Sequence, residues 1–151
     1  MTAPLTRAEV TELIIAERIR RGIRWSQVAE EVGASKEWTT AACLGQMALD
    51  EDQAQAVVRI FNLPAEAEHI LQAPPYKGSL PTVVPNDPLI NRLHEMVAVY
   101  GPTIKELVHE EFGDGIMSAI DFRMDLTREP DTAGDRVRIV LSGKYLGYKK
   151  F

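Results

Sequence analysis

One cysteine, three histidines, no long apolar run and no excess of basic residues set the first limits on this 151-residue chain. Cys43 has no second cysteine to pair with, so an intrachain disulfide is excluded, which fits a reducing cytosol. Such a thiol is expected as a small buried apolar residue and not as a reactive group. His69, His94 and His109 show neither the i, i+4 pairing nor the Cys/His clustering of a zinc site, so no metal is expected. The missing apolar run excludes a membrane span. Met1 to Arg7 lacks the basic-then-apolar pattern of a secretory signal, and a cytoplasmic location is expected. The net charge is −5. The first 72 residues carry seven Lys or Arg against eleven Asp or Glu, and the remainder ten against eleven. Neither half has the positive balance of a phosphate-backbone binder, so no nucleic acid and no membrane partner is expected.

What is present is ordinary for a globular protein: 45% apolar and 26% charged residues, without repeats or low-complexity tracts. The first half punctuates itself into five short helices. Thr6-x-x-Glu9 is a capping box, and Gly22 is a natural end for the helix it opens. Ser26 and Ser35 are candidate caps for a second and a third helix, the second ending at Gly33. Asp50-x-x-Gln53 opens a fourth, with Ala54, Val57, Val58 and Phe61 on one stripe. Pro64, at the first helical position, would start a fifth that ends before Pro74-Pro75.

Pro74, Pro75, Pro81 and Pro85, with Gly78 and Ser79, mark an extended connector. The expected division is a helical bundle over 1–73, a Pro-rich linker over 74–86 and a second domain over 87–151. Asp87-Pro88 begins a helix ended by Gly101, and Pro102 opens another that ends near Gly113. Two strands follow, Ile116 to Leu126 and Val137 to Leu141, joined antiparallel across a polar segment with Pro130 and Gly134. Two strands alone are marginal, so this sheet needs a further surface, and a second subunit is the obvious source. The fold class is α+β.

Trp25 to Gln46 has the helix–turn–helix spacing of DNA-binding units. In that reading Lys36, Glu37, Thr39 and Thr40 would face the bases. The presumed recognition helix, however, has no arginine and sits in an acidic domain, so both base readout and phosphate attraction are poorly served. A non-enzymatic regulator that binds DNA or protein through this bundle is the alternative function. Trp25 and Trp38 are more simply residues of the bundle core.

Chemistry concentrates in the second half. Arg92 and Glu95 lie three apart on a helix and share a face. The run Phe112-Gly-Asp-Gly-Ile-Met-Ser118-Ala-Ile-Asp-Phe122 sets one hydroxyl in a strand whose Ile116, Ser118, Ile120 and Phe122 would point the same way. A buried hydroxyl needs a partner, and an arginine held by a carboxylate beside a serine suits a small anion. A serine hydrolase is disfavoured, because Ser118 lacks the Gly-x-Ser-x-Gly elbow and a poised base. Gly113-Asp114-Gly115 lacks the length and the lysine of a P-loop.

Arg92-x-x-Glu95-Met96, Val99-Tyr100-Gly101, the run Phe112 to Phe122 and the tail Gly143-Lys144-Tyr145-Leu146 resemble the cyanase (cyanate hydratase) family. The similarity extends over the whole chain, and departs from the common pattern at Asn91, Leu93 and His94, where aromatic residues are frequent. The resemblance implies a lyase with a repressor-like amino-terminal five-helix bundle and a small carboxy-terminal domain for dimerisation and catalysis. It further implies a decamer built from dimers. The implied reaction is the bicarbonate-dependent decomposition of cyanate to ammonia and carbon dioxide through carbamate, with bicarbonate as co-substrate and no cofactor. Arg92, Glu95 and Ser118 match the family's catalytic positions, and Ile116 and Leu146 match positions lining the pocket.

Overall fold

The computed structural model describes residues 3–78 and 86–151. The chain divides into two compact units, Met1–Ser79 and Leu80–Phe151.

The first unit holds five helices: α1 (Arg7–Arg21), α2 (Trp25–Val32), α3 (Lys36–Cys43), α4 (Glu51–Phe61) and α5 (Ala67–Gln72). The capping boxes at Thr6/Glu9 and Asp50/Gln53 are formed, and Ser35 Oγ accepts from Trp38 N at 3.1 Å. Gly22 ends α1 in the left-handed region, as expected from its position. Two starts differ from the sequence reading. Arg24, not Ser26, stands at the N-cap of α2; it offers no side-chain cap, but its backbone N–H donates to Gln27 Oε1 at 2.8 Å, the reciprocal half of a capping box. Pro64 does not open α5. Its carbonyl accepts from Ala67 N at 2.9 Å in a turn, and regular helix begins only at Ala67.

Apolar stripes from these helices close one core, with Val10, Ile14, Val28, Ala42, Val57, Phe61 and Leu71 fully buried. Trp25 and Trp38 pack against it from the edge, and Trp25 lies between Phe61 and the Arg18 guanidinium. Arg7 reaches across to donate to the carbonyls of Ala42 and Met47, so α1 ties down the end of α3. Of the expected linker, residues 74–78 turn back onto this unit: Gly78 N donates to Gln46 Oε1 at 2.8 Å. The rest of it up to 85, with Pro81 and Pro85, lies outside the described residues.

The second unit consists of α6 (Pro88–Phe112), β1 (Gly115–Glu129) and β2 (Arg136–Gly147). Where two helices were expected there is one of 25 residues, with Gly101 and Pro102 inside it. A proline in mid-helix removes one N–H donor and crowds the preceding residue, but much of that crowding falls on a Cβ. Gly101 has none, which eases the continuation of the helix through Pro102. The helix stops at Gly113, whose N–H donates to His109 O at 2.9 Å.

The strands pair antiparallel and are longer than expected at both ends, in register from Gly115↔Gly147 to Glu129↔Arg136 with one interruption. Met117 faces Tyr145, yet the next pair is Phe122 with Gly143. Ser118 to Asp121 therefore bulge opposite Lys144, and the simple alternation of faces is lost. Ile120 is 99% exposed and Ser118 only 6%, so the expected common row of Ile116, Ser118, Ile120 and Phe122 does not exist.

Burial pushes the Cys43 thiol up to about 11, with the Arg7 charge opposing only in part. The native thiol thus keeps its proton at pH values where an unfolded one, at about 8.5, has lost it. Its contribution to stability is complete below that unfolded value and falls as pH rises towards about 11. An aromatic disulfide reagent at pH 8 is expected to leave Cys43 unmodified in the native protein and to titrate it fully in denaturant. Rapid native labelling would contradict its place in the core.

Candidate active site

Asp87 caps α6 with Oδ1, which accepts from Leu89 N at 2.9 Å and Ile90 N at 3.0 Å. That cap and Pro88 fix the first turn, so Arg92 and Glu95 project from well-ordered helix. Arg92 Nη1 donates to Glu95 Oε2 at 3.2 Å and to Asn91 Oδ1 at 3.3 Å. Both contacts engage the same nitrogen. Among the described residues the guanidinium edge formed by Nε and Nη2 has no partner. The two side chains are 70% and 61% exposed, so as a stabilising ion pair they contribute only a few tenths of a kcal/mol. What the pair does offer is a guanidinium steadied on one side and open on the other.

Ser118 is placed by the bulge. Its Oγ accepts from Ile120 N at 3.1 Å and from Asp121 N at 3.0 Å. A hydroxyl has two acceptor lone pairs and one hydrogen. With both lone pairs engaged by backbone donors, the remaining capability of Ser118 is to donate. This local serine-to-backbone pattern competes with the sheet ladder and explains why pairing lapses here. The arrangement opposes a nucleophilic serine, whose oxygen would need free lone-pair density and a base.

Sequence reasoning missed three supporting residues. A Cβ built on Gly115 would lie 2.4 Å from Leu146 O and 2.6 Å from the Tyr145 ring, so β2 and that ring approach a bare backbone. Tyr145 also stacks on Phe112, with ring centroids 5.1 Å apart. Gly143 is the third, and closes on Ser118 itself. The signal available was the presence of glycines within the two motif segments, but it identifies no partner for them. Ile116 and Leu146, the two expected pocket residues, are direct cross-strand partners beside this cluster, and both are partly exposed.

Arg92 and Ser118 lie on different elements, one near the start of α6 and one beyond its end. Twenty helical residues separate Arg92 from Phe112, a run of about 30 Å. The six residues from Phe112 to Ser118 span at most about 21 Å. Even a strand doubled straight back would leave the two Cα atoms about 9 Å apart, and among the described residues no hydrogen bond joins the two side chains. Among those residues, too, no group of three or more His, Cys, Asp or Glu is placed to hold a metal, and no helix is long and apolar enough to cross a membrane.

The arrangement defines a class: a helical bundle joined to a small α+β unit, on which a guanidinium is steadied by a carboxylate and a serine oxygen is engaged by two backbone donors. Comparison with known proteins agrees over nearly the whole chain. Residues 7–75 match the cyanate hydratase N-terminal family, and residues 82–150 match the cyanate lyase C-terminal domain. The chain is 66% identical to the cyanate hydratase of Cupriavidus necator and 65% identical to that of Ralstonia pickettii. Each comparison covers 97% of this chain and 100% of the relative. The crystal structure of cyanase from T. urticae superposes with a TM-score of 0.78 at 34% identity, covering 91% of this chain and 96% of that one. The chain belongs to the cyanate hydratase family, a family of lyases. The alternative of a non-enzymatic regulator gives way to that assignment.

The geometry at Ser118 has its own test. Ser118→Ala removes the acceptor shared by Ile120 N–H and Asp121 N–H, and hydrogen exchange at those two amides should accelerate. Unchanged protection would show that the serine oxygen is not what holds the bulge.

Proposed function

We propose that this protein decomposes cyanate with bicarbonate, and that Arg92, Glu95 and Ser118 carry the reaction. The end-to-end similarity to named cyanate hydratases is the observation that carries the reading. The side-chain geometry supplies a mechanism. Cyanate and bicarbonate are both anions and repel each other in water. A guanidinium with a free Nε–Nη2 edge matches a planar carboxylate-like group through paired donors, and stays charged at working pH. Holding both reactants together converts an unfavourable encounter into an intramolecular step.

A bicarbonate oxygen then attacks the cyanate carbon, forming a C–O bond, and the proton of bicarbonate passes to the cyanate nitrogen. The mixed anhydride so formed is a dianion, and donors aimed at it stabilise the charge concentrated there. Ser118 is one such donor, because its hydrogen is the only hydrogen-bonding capacity it has left. Cleavage of the anhydride releases carbon dioxide and leaves carbamate, which takes up protons and breaks down to ammonia and a second carbon dioxide. Glu95 holds Nη1 and so orients the opposite edge of Arg92. Ile116 and Leu146 form an apolar wall near Ser118. No cofactor enters these steps, and bicarbonate is the co-substrate.

Assembly belongs to the same proposal. Arg92 and Ser118 lie on different elements of one chain with no hydrogen bond between them among the described residues, and copies packed as dimers, and dimers as a decamer, bring Arg92 of one subunit to Ser118 of another. The acidic amino-terminal bundle serves this assembly and binds no nucleic acid. The enzyme acts in the cytoplasm.

Arg92→Lys separates donor geometry from charge. Lysine keeps the positive charge but loses the coplanar paired donors. Ammonia release, measured with cyanate and bicarbonate varied separately in a variant of unchanged oligomeric mass, is expected to fall by about 10²–10³-fold. Near-full activity would reduce Arg92 to a general attractor of anions.

A further inference from the structure

We propose that Gly143 is a positioning residue for Ser118: its bare backbone is what allows the Ser118–Asp121 bulge to hold the serine hydroxyl as a donor. The inference rests on the cyanate reading above and extends it to a residue on the opposite strand. A Cβ built on Gly143 would stand 2.4 Å from the Ser118 carbonyl oxygen and 2.5 Å from Met117 Cγ, with Met117 Sδ at 3.3 Å. The first of these contacts is with backbone, which cannot swing aside as a side chain can. Gly143 is not among the glycines with positive φ, so its requirement is for space and not for an unusual backbone conformation.

The register explains why the approach is so close. Gly143 pairs with Phe122, the first residue after the bulge, while Tyr145 pairs with Met117, the last before it. Four residues of β1 must therefore be taken up opposite Lys144 alone. The excess chain folds inward at Ser118, which is 6% exposed, and outward at Ile120, which is 99% exposed. The inward turn brings the Ser118 carbonyl onto Gly143. Any side chain there pushes the serine backbone away, and with it the Oγ that receives Ile120 N and Asp121 N at 3.1 and 3.0 Å. Displacements of about 1 Å at a substrate-positioning group cost about 10²-fold in rate.

The test is a double-mutant cycle between Gly143→Ala and Ser118→Ala, read by kcat/KM for cyanate at saturating bicarbonate, with amide exchange at Ile120 and Asp121 as a second readout. The expected result is a loss of about 10²-fold on the natural background and no more than about twofold on Ser118→Ala. Exchange at the two amides should accelerate in Gly143→Ala. Equal losses on both backgrounds, full activity, or unchanged amide protection would each overturn the proposal. If Gly143→Ala does not assemble, Met117→Ala/Gly143→Ala removes the side-chain part of the clash and keeps the backbone part. It is then compared with Met117→Ala alone, expecting the same loss. Failure of that variant to assemble as well would make Gly143 a requirement of strand pairing and overturn its link to Ser118. An unmodified protein that releases no ammonia from cyanate and bicarbonate would defeat the cyanate reading instead, and the amide-exchange result would then decide the geometric claim by itself.

Discussion

The second unit leaves much of its apolar surface exposed in the single chain, and the proposed assembly answers that constraint. One helix and two strands enclose no interior. Leu89, Val97, Val99 and Tyr100 on α6, and Val137 and Leu141 on β2, are more than half exposed in the single chain. Two-stranded sheets are marginal in water without another surface, and apolar patches of this extent mark association. The first unit has the opposite character: its five helices close around Val10, Ile14, Val28, Val57, Phe61 and Leu71. The chain thus joins a unit with its own core to one that leaves an apolar surface open, and the proposed assembly is what would cover it.

Within the second unit, the chemistry is prepared locally before any partner arrives. Arg92 is steadied through one nitrogen and left open along its bidentate edge. Ser118 Oγ accepts from two backbone donors, which leaves its hydrogen free to donate. In the proposed reaction both serve as donors to anionic oxygen, and neither resembles a nucleophile with its base. The glycines at 115 and 143 act by omission: each lets a neighbouring strand approach where a methyl group would collide with backbone. Tyr145 fills the space over Gly115 and anchors to Phe112 at the end of α6, linking the helix terminus to the strand that follows.

Features governed by chemistry a few residues apart were legible in the sequence. The boxes at Thr6/Glu9 and Asp50/Gln53, the cap at Ser35 and the ends at Gly22 and Gly33 are local hydrogen-bond solutions, and they formed as read. The errors arose where a competing arrangement prevailed. Gly101-Pro102 reads as a stop, yet a glycine before proline removes part of the clash that would end the helix. Pro64 reads as a helix start, yet it was used in a turn. The bulge at Ser118 was invisible to a period-two reading, because it depends on the register with a strand more than twenty residues away. Arg92, Glu95 and Ser118 were visible as residue types through the family resemblance. The unbroken α6 that sets Arg92 about 30 Å from Phe112 was not.

The proposed site draws its Arg92 and its Ser118 from different subunits. Arg92→Ala and Ser118→Ala chains, each purified and then unfolded and refolded together, form mixed oligomers in which some sites inherit an intact arginine from one chain and an intact serine from the other. Ammonia release from cyanate and bicarbonate should reappear in the mixture at a level well above the sum of the two separate variants. A mixture of confirmed mixed composition that stays as inactive as its components would contradict a site completed between copies.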